Sequence, residues 1–443
     1  MTYNLYLWPA TRAASLQAFG RLTRCAATLV LLGGAVWSYG CSGCTDGHAT
    51  SDAGTDTSTD ADTDTDGDTD ADTDTDTVTL PEGFVPDAGP WDWEDLPDAG
   101  DCGQDGCRQL TFTDEVKFLE WDVWGELLVF GNKETGGNSV YIANHETNKQ
   151  LELPSPYATA TPTYVYYPAT IYEKTTCYAK TANSWDGRHD VICADIEKEI
   201  QQLVYHRPKE GSDTPNPANY IDVYGSRIVS MGGCGEVMDS WPLCAFDIEN
   251  PGTYEELAPH QYGLGNQIWE DTIVWESGPA GHYDIRAFDL STEQFVEITD
   301  DTVGQICPRI HGSRVVYQDL KLGDGDPMGN WNHSAVFMHD LATHETTQIT
   351  SGEWIAAYPD IHENIIVWAD YRDSANPNNN TSFAGVQIWG YNLDTETEFQ
   401  ITDIPDRPKQ TPRIWDDKVF VHMYKTTPGQ DAIYMFDLPD GAK

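Results

Sequence analysis

Few residue patterns in this chain spell out a reaction. His362-Glu363 begins like H-E-x-x-H, the helix-borne zinc motif, but position 366 is Ile and the second ligand is missing. No G-x-S-x-G elbow, phosphate-cradling glycine loop or dinucleotide fingerprint is present. Two oxygen-rich constellations stand out instead. Asp319 with Asp324-Gly325-Asp326 offers the hard oxygen ligands that calcium takes, although a lone D-G-D also reads as a plain turn. A second set, Asp122, Asp222, Gln267, Arg309, Asp360 and Arg413, recurs one residue ahead of an apolar residue. Acids facing guanidinium groups either pair with one another or converge on a ligand. Trp331, Tyr371 and Arg372 lie in long polar segments and would add aromatic and cationic surface for a glycan or peptide.

The elements that must position these residues are strands. From Tyr358 to Thr402 short apolar segments with period-two spacing alternate with polar turns at His362–Asn364 and Asp394–Glu396, the pattern of one four-stranded antiparallel sheet. That sheet recurs. An apolar residue, five residues and a second apolar residue appear as Val123 to Val129, Ile171 to Cys177, Val223 to Val229, Ile268 to Val274, Ile310 to Val316, Ile361 to Val367 and Ile414 to Phe420. The starts lie about forty to fifty-five residues apart, the spacing of propeller blades. Blade 2 is the poorest match, because Lys174-Thr175-Thr176 interrupts its apolar run.

The last unit stops at Met435-Phe436-Asp437-Leu438 without an outer strand, whereas Arg108-Gln109-Leu110-Thr111 copies the recurrent Q-I-T element ahead of unit one. Pairing the two closes a ring and leaves no open sheet edge. The expected fold is all-β: a seven-bladed propeller of four-stranded antiparallel blades over residues 102–443, its last blade completed by an N-terminal strand. The units, with P-x-I-x-G-x-x-V-V-W followed by D-L-x-T and I-T, resemble the repeats of the TolB family across about residues 107–438. TolB itself has an additional N-terminal α/β domain, and an acidic segment stands in its place here.

Within each blade, taking strands A to D outward from the channel, the A–B and C–D turns share one face and the B–C and D–A loops the other. The long B–C loops, Asp319 to Ser334 and Asp370 to Gly385, place the expected binding face on their side, with the six acid, Gln and Arg positions ringing the channel mouth. Two functions follow from different premises. One is a binding or scaffold propeller for a protein or glycan. The other is a polysaccharide-acting enzyme, since some oligogalacturonate lyases resemble TolB propellers and hold a metal through His and Gln at the channel mouth. Here those positions are mainly Asp and Arg, and His311, His333, His339 and His344 are expected at turns or on strands of one blade rather than on converging inner strands.

The first residues give an address. Arg12, Arg21 and Arg24 precede a short apolar run, Ala26 to Val36, as in an export signal. It ends at Ser38-Tyr39-Gly40-Cys41, which resembles a bacterial lipobox and makes Cys41 the expected lipid-bearing residue, with Cys44 a weaker candidate. From Asp46 to Asp76 the chain is nearly pure Asp-Thr-Asp, so residues 42–101 are expected to be an extended tether, and its D-T-D-G-D lacks the distal Glu of a calcium loop. The organisation expected is signal 1–41, tether 42–101 and a monomeric propeller head held at a cell envelope. A formal net charge of -47 argues against nucleic acid and anionic lipid as direct partners, so the membrane is reached only through the anchor. Export implies oxidation, and spacing suggests the pairs Cys102–Cys107, Cys177–Cys193 and Cys234–Cys244, leaving Cys307 and Cys44 without an obvious partner.

Overall fold

A computed structural model describes Phe84, Pro86, residues 90–97 and 102–111 and most of 116–442; the larger gaps are 156–168, 182–188, 208–218, 235–240, 321–332, 378–383 and 425–430. Cys41, the acidic tether to position 83, Trp331, Asp324 and Asp326 lie outside the described residues. The described residues hold no helix and form seven four-stranded antiparallel blades arranged as a seven-bladed β-propeller. Each inner strand packs beside that of the next blade, and the seventh, Lys409–Trp415, packs beside the first, Val116–Trp124.

The ring closes through the chain's two ends. Cys107–Gln109 pairs antiparallel with Ala432–Asp437, matching Cys107 to Phe436 and Gln109 to Tyr434. The Q-I-T signature has a physical meaning that this junction shares with ordinary blades. The Thr hydroxyl ends strand D by accepting a strand C amide: Thr299 from Ile285 (2.8 Å), Thr350 from Val336 (3.0 Å), Thr402 from Ile388 (2.9 Å) and Thr111 from Ile433 (2.9 Å). The Gln side chain donates to the same Thr's carbonyl, at 2.7 Å from Gln348 and Gln400 and 2.6 Å from Gln109. Leu110 is fully buried between the last and first blades.

Turns follow the repeat as well. At the C–D turns the carboxylate or amide of Asn144, Asp195, Asp289, Asp340 and Asn392 accepts two successive backbone amides, an Asx turn that explains the D-L-x-T run. The core is divided by seam. Seven apolar clusters each span two adjacent blades, and Trp275 and Trp368 are wholly buried in two of them. Blade faces therefore bury against neighbours, and no blade is stable alone.

Part of the segment expected to be tether joins the fold. Glu94–Asp95 adds a fifth strand beside Lys149–Glu152 in blade 1, with Trp91 and Leu96 buried behind it. The apolar spacing of Trp91 and Leu96 is enough to cover an otherwise open blade edge. Disulfides join Cys102 to Cys107 beside the closing strand, Cys177 to Cys193 across strands B and C of blade 2, and Cys234 to Cys244 in blade 3. Cys307 is a free thiol.

Candidate functional site

The channel residues stand in levels set by strand periodicity. The middle level is Asp122, Thr170, Asp222, Gln267, Arg309, Asp360 and Arg413, one residue from each inner strand. The blade 2 member, Thr170, occupies the same offset before Ile171 and is missing from the expected set. These side chains latch neighbouring blades. Asp122 accepts the Ile171 amide (3.2 Å), Asp222 that of Ile268 (2.8 Å), Gln267 that of Ile310 (2.7 Å) and Asp360 that of Ile414 (2.8 Å). Arg309 Nε stands 4.0 Å from Asp360 Oδ1, and the Arg413 guanidinium lies 5.5 Å from the Trp121 ring.

The expectation that these residues ring the mouth is corrected: they form the channel's waist. Asp122, Asp222 and Arg413 line both the cavity on the B–C side and the small hollow on the other. The cause is in the backbone. Tyr220, Cys307, Tyr358 and Thr411 each have positive φ two residues ahead of the polar position, and strand register slips there in blades 3, 5, 6 and 7. Each bulge adds a residue and carries the inner strand further toward the B–C face.

Burial dominates the electrostatics of the waist. It raises the Asp222 and Asp360 carboxyls to about 7, partly opposed for both by Arg309, and raises Asp122 as well. Thr170 Oγ1 lies 3.0 Å from Asp122 Oδ2 and 2.7 Å from Asp222 Oδ1. This one hydroxyl thus bridges two carboxyls that burial shifts toward their neutral forms.

Above the waist, on the B–C side, is a cavity of about 280 Å³. Tyr220, Tyr283, Tyr358, Ile306, Pro308 and Pro359 line its largely apolar wall. Glu276 is buried beside it and accepts the Cys307 amide at 2.6 Å. Burial pushes the Cys307 thiol and the Tyr358 phenol up. Four residues lining this one cavity carry buried polar atoms with no hydrogen-bond partner in the described protein: Trp121 Nε1, Asn266 Oδ1, Thr411 Oγ1 and Arg413 Nε. Three of these atoms can donate and come from blades 1 and 7, whereas Asn266 Oδ1, with Asp222 and Glu276 nearby on the lining, presents acceptors from blades 3 and 4.

At the opposite end every inner strand terminates in an aromatic ring: Trp124, Tyr172, Tyr224, Trp269, His311, His362 and Trp415. Consecutive ring centroids are 4.0–5.3 Å apart around the whole circle. Trp124 also lies 6.0 Å from Tyr224 and 5.7 Å from Trp269, so the disc has a filled centre and leaves a hollow of only about 40 Å³. This corrects the placing of His311, which ends an inner strand and meets His362 at 4.6 Å. The signal was available: the residue after the recurrent apolar position is aromatic in all seven units.

The remaining candidates separate. Tyr371 is buried in the seam between blades 6 and 7 and presents no loop surface. Arg372 is held by Asp370 at 2.7 Å and Glu398 at 2.5 Å, 3.8 Å from the Trp389 ring and 4.6 Å from that of Trp354, an arrangement that fastens blade 6. Asp319 is buried and pairs with Gln305 across strands of blade 5. Among the described residues no group of three or more His, Cys, Asp or Glu is placed to hold a metal.

No model of a known protein family matches the chain, and no characterised protein matches its sequence. Its fold is similar to solved propellers. An oligogalacturonate lyase in complex with manganese aligns with TM-score 0.52 and 14% identity over 80% of this chain and 99% of that one. The oligogalacturonate lyase of Vibrio parahaemolyticus gives the same score and identity, covering 80% and 100%. The propeller domain of the Trilobed protease from Pyrococcus furiosus, described as having an open velcro topology, aligns with TM-score 0.51 and 13% identity over 74% and 95%. At such identities the likeness establishes the fold.

Proposed function

We propose that this chain is a cell-envelope binding propeller that holds a polar group of a protein or glycan partner in the B–C side cavity. One observation carries the reading: four residues lining a single aromatic-walled cavity hold buried polar atoms without a hydrogen-bond partner among the described residues. A cavity with apolar walls and a few directional polar groups suits a ligand that brings both oxygen acceptors and hydroxyl or amide donors, as a sugar unit or a peptide end does. Tyrosine faces supply stacking surface, and the polarised donors and acceptors fix orientation. The waist beneath is a floor braced by Asp122, Asp222, Gln267 and Asp360, each of which accepts a backbone amide from the next blade. The catalytic alternative draws no support from the side chains at the waist, which are mainly latching acids and arginines.

The repeat motifs support kinship with TolB-like propellers. Lipidation at Cys41 and the Asp/Thr segment would display the head away from a membrane as a monomer. A glycan array and a pull-down with the full chain, each with and without calcium, test the binding reading: selective capture abolished by Arg413→Met supports it, and capture unaffected by that change contradicts it. Recovery of the mature protein in the aqueous phase after detergent phase separation would contradict the anchor.

A further inference from the structure

The aromatic disc on the A–B face lies at the other end of the channel from the proposed cavity and is not used by it. All seven rings are partly exposed, so the disc presents an aromatic surface rather than a sealed core layer. Around it the A–B turns present exposed Glu173, Glu270, Asp271, Glu363 and Asp416. Lys174 is paired with Glu126 and Lys418 with Asp417 and Asp437, and Arg227 acts on Asp247; Arg314, bonded only to the Asn364 amide and the Glu363 carbonyl, offsets one of the five acids. The collar therefore keeps an uncompensated negative charge.

The disc's own histidines do not offset it. His311 Nδ1 accepts the Glu363 amide at 3.2 Å and His362 Nδ1 accepts the Asp416 amide at 3.1 Å. Both are neutral pins between blades. Burial, and after it Tyr172 and Glu270, pushes the Tyr224 phenol up to about 12, so this ring is neutral too. Aromatic faces attract cations through their quadrupole, and carboxylates at the rim add long-range attraction.

We propose that the disc is a docking site for basic side chains, lysine or arginine, of a partner polypeptide. A cation would lie flat on the tryptophan faces while the collar pairs with its neighbours along the same segment. Two features favour a polypeptide over a lipid headgroup. Trp124 fills the centre and the hollow is only about 40 Å³, too small to engulf a trimethylammonium. The acids are also spread over blades 2, 4, 6 and 7, a layout that suits several cations in sequence rather than one.

The test uses the full chain and the indole N–H resonances of Trp124, Trp269 and Trp415, titrated with a capped hexalysine peptide, a capped hexaserine peptide and phosphocholine vesicles. Indole shifts separate the disc from the acidic tether, which also attracts lysine. The expected result is saturable shifts of these indoles with hexalysine alone. Trp415→Leu should weaken the local affinity about two- to five-fold, the range for one exposed cation–π contact. Glu270→Gln with Glu363→Gln, both at exposed turns and harmless to folding, should weaken it comparably at low salt. Hexalysine binding that leaves the disc indoles unmoved would overturn the proposal, as would indole shifts produced by the vesicles and not by the peptide.

Discussion

At one end of the channel every blade contributes the same kind of residue at the same position; at the other, each contributes something different. The A–B end is seven aromatic rings in unbroken contact. The B–C end is a cavity whose lining mixes tyrosines, prolines, a thiol, three acids and two arginines, shaped by bulges in four of the blades. Repetition produces a surface that any blade could have supplied. Departure from repetition is what produces directional, unpartnered groups. Specificity is accordingly expected at the irregular end and charge-driven docking at the regular one.

The largest expected effect removes the frame common to both ends. Leu110→Ala should cost about 2–5 kcal/mol, the usual range for truncating a fully buried leucine, in denaturant unfolding. Leu110→Asp should prevent folding, because it buries a charge in the seam where the chain's ends meet. A mild effect would mean that the closing strand is dispensable.

Next comes the irregular end. Arg413→Met should reduce partner affinity roughly ten- to a hundred-fold, as loss of hydrogen bonds from a charged donor does, with a small change in melting temperature. The same substitution should leave hexalysine shifts at the disc in place. Loss at both ends together would show that they are one site.

The two levels should also respond to pH in opposite senses. Asp222 and Asp360 have folded values of about 7, raised from 3.8, so the folded state binds the extra protons and their contribution falls as pH rises from about 4 to 7. His311 is lowered from 6.5 to about 4, so the unfolded state binds the proton and its contribution grows over nearly the same range. Asp222→Asn should tilt the stability profile upward with pH, and His311→Phe should tilt it downward. Chemical unfolding at intervals between pH 4 and 7 measures both. Identical tilts would refute the assignment.

The smallest effect expected is at the collar. Glu270→Gln should alter unfolding free energy by no more than about 0.5 kcal/mol, as at an ordinary exposed position.

Much of the frame is legible in the chain because each repeated residue has one repeated job. Thr111 is recognisable as a strand terminator since Thr350 and Thr402 make the same bond, and that copy is what revealed the closing strand. The candidate site is less legible. The depth of Arg309 and Asp360 depends on bulges at Cys307 and Tyr358, two residues whose types give no hint of a positive φ. Tyr371 and Arg372 follow an apolar strand and look like loop residues, yet seam packing and the acids Asp370 and Glu398 claim them. The aromatic disc was plain in the spacing but falls outside an apolar-only pattern, since His311 and His362 do not count as hydrophobic.

Cys307 provides the most direct test of the cavity as the place where a partner sits. It lines the cavity and is the free thiol among the described residues, the other cysteines there being in disulfides. Its alkylation by N-ethylmaleimide can be followed at the Cys307 peptide by mass spectrometry, slowly, because burial raises the thiol's pKa. With a partner identified on the array, protection of Cys307 should rise with occupancy and saturate along the binding curve. An alkylation rate unchanged at saturating partner would place binding elsewhere on the molecule.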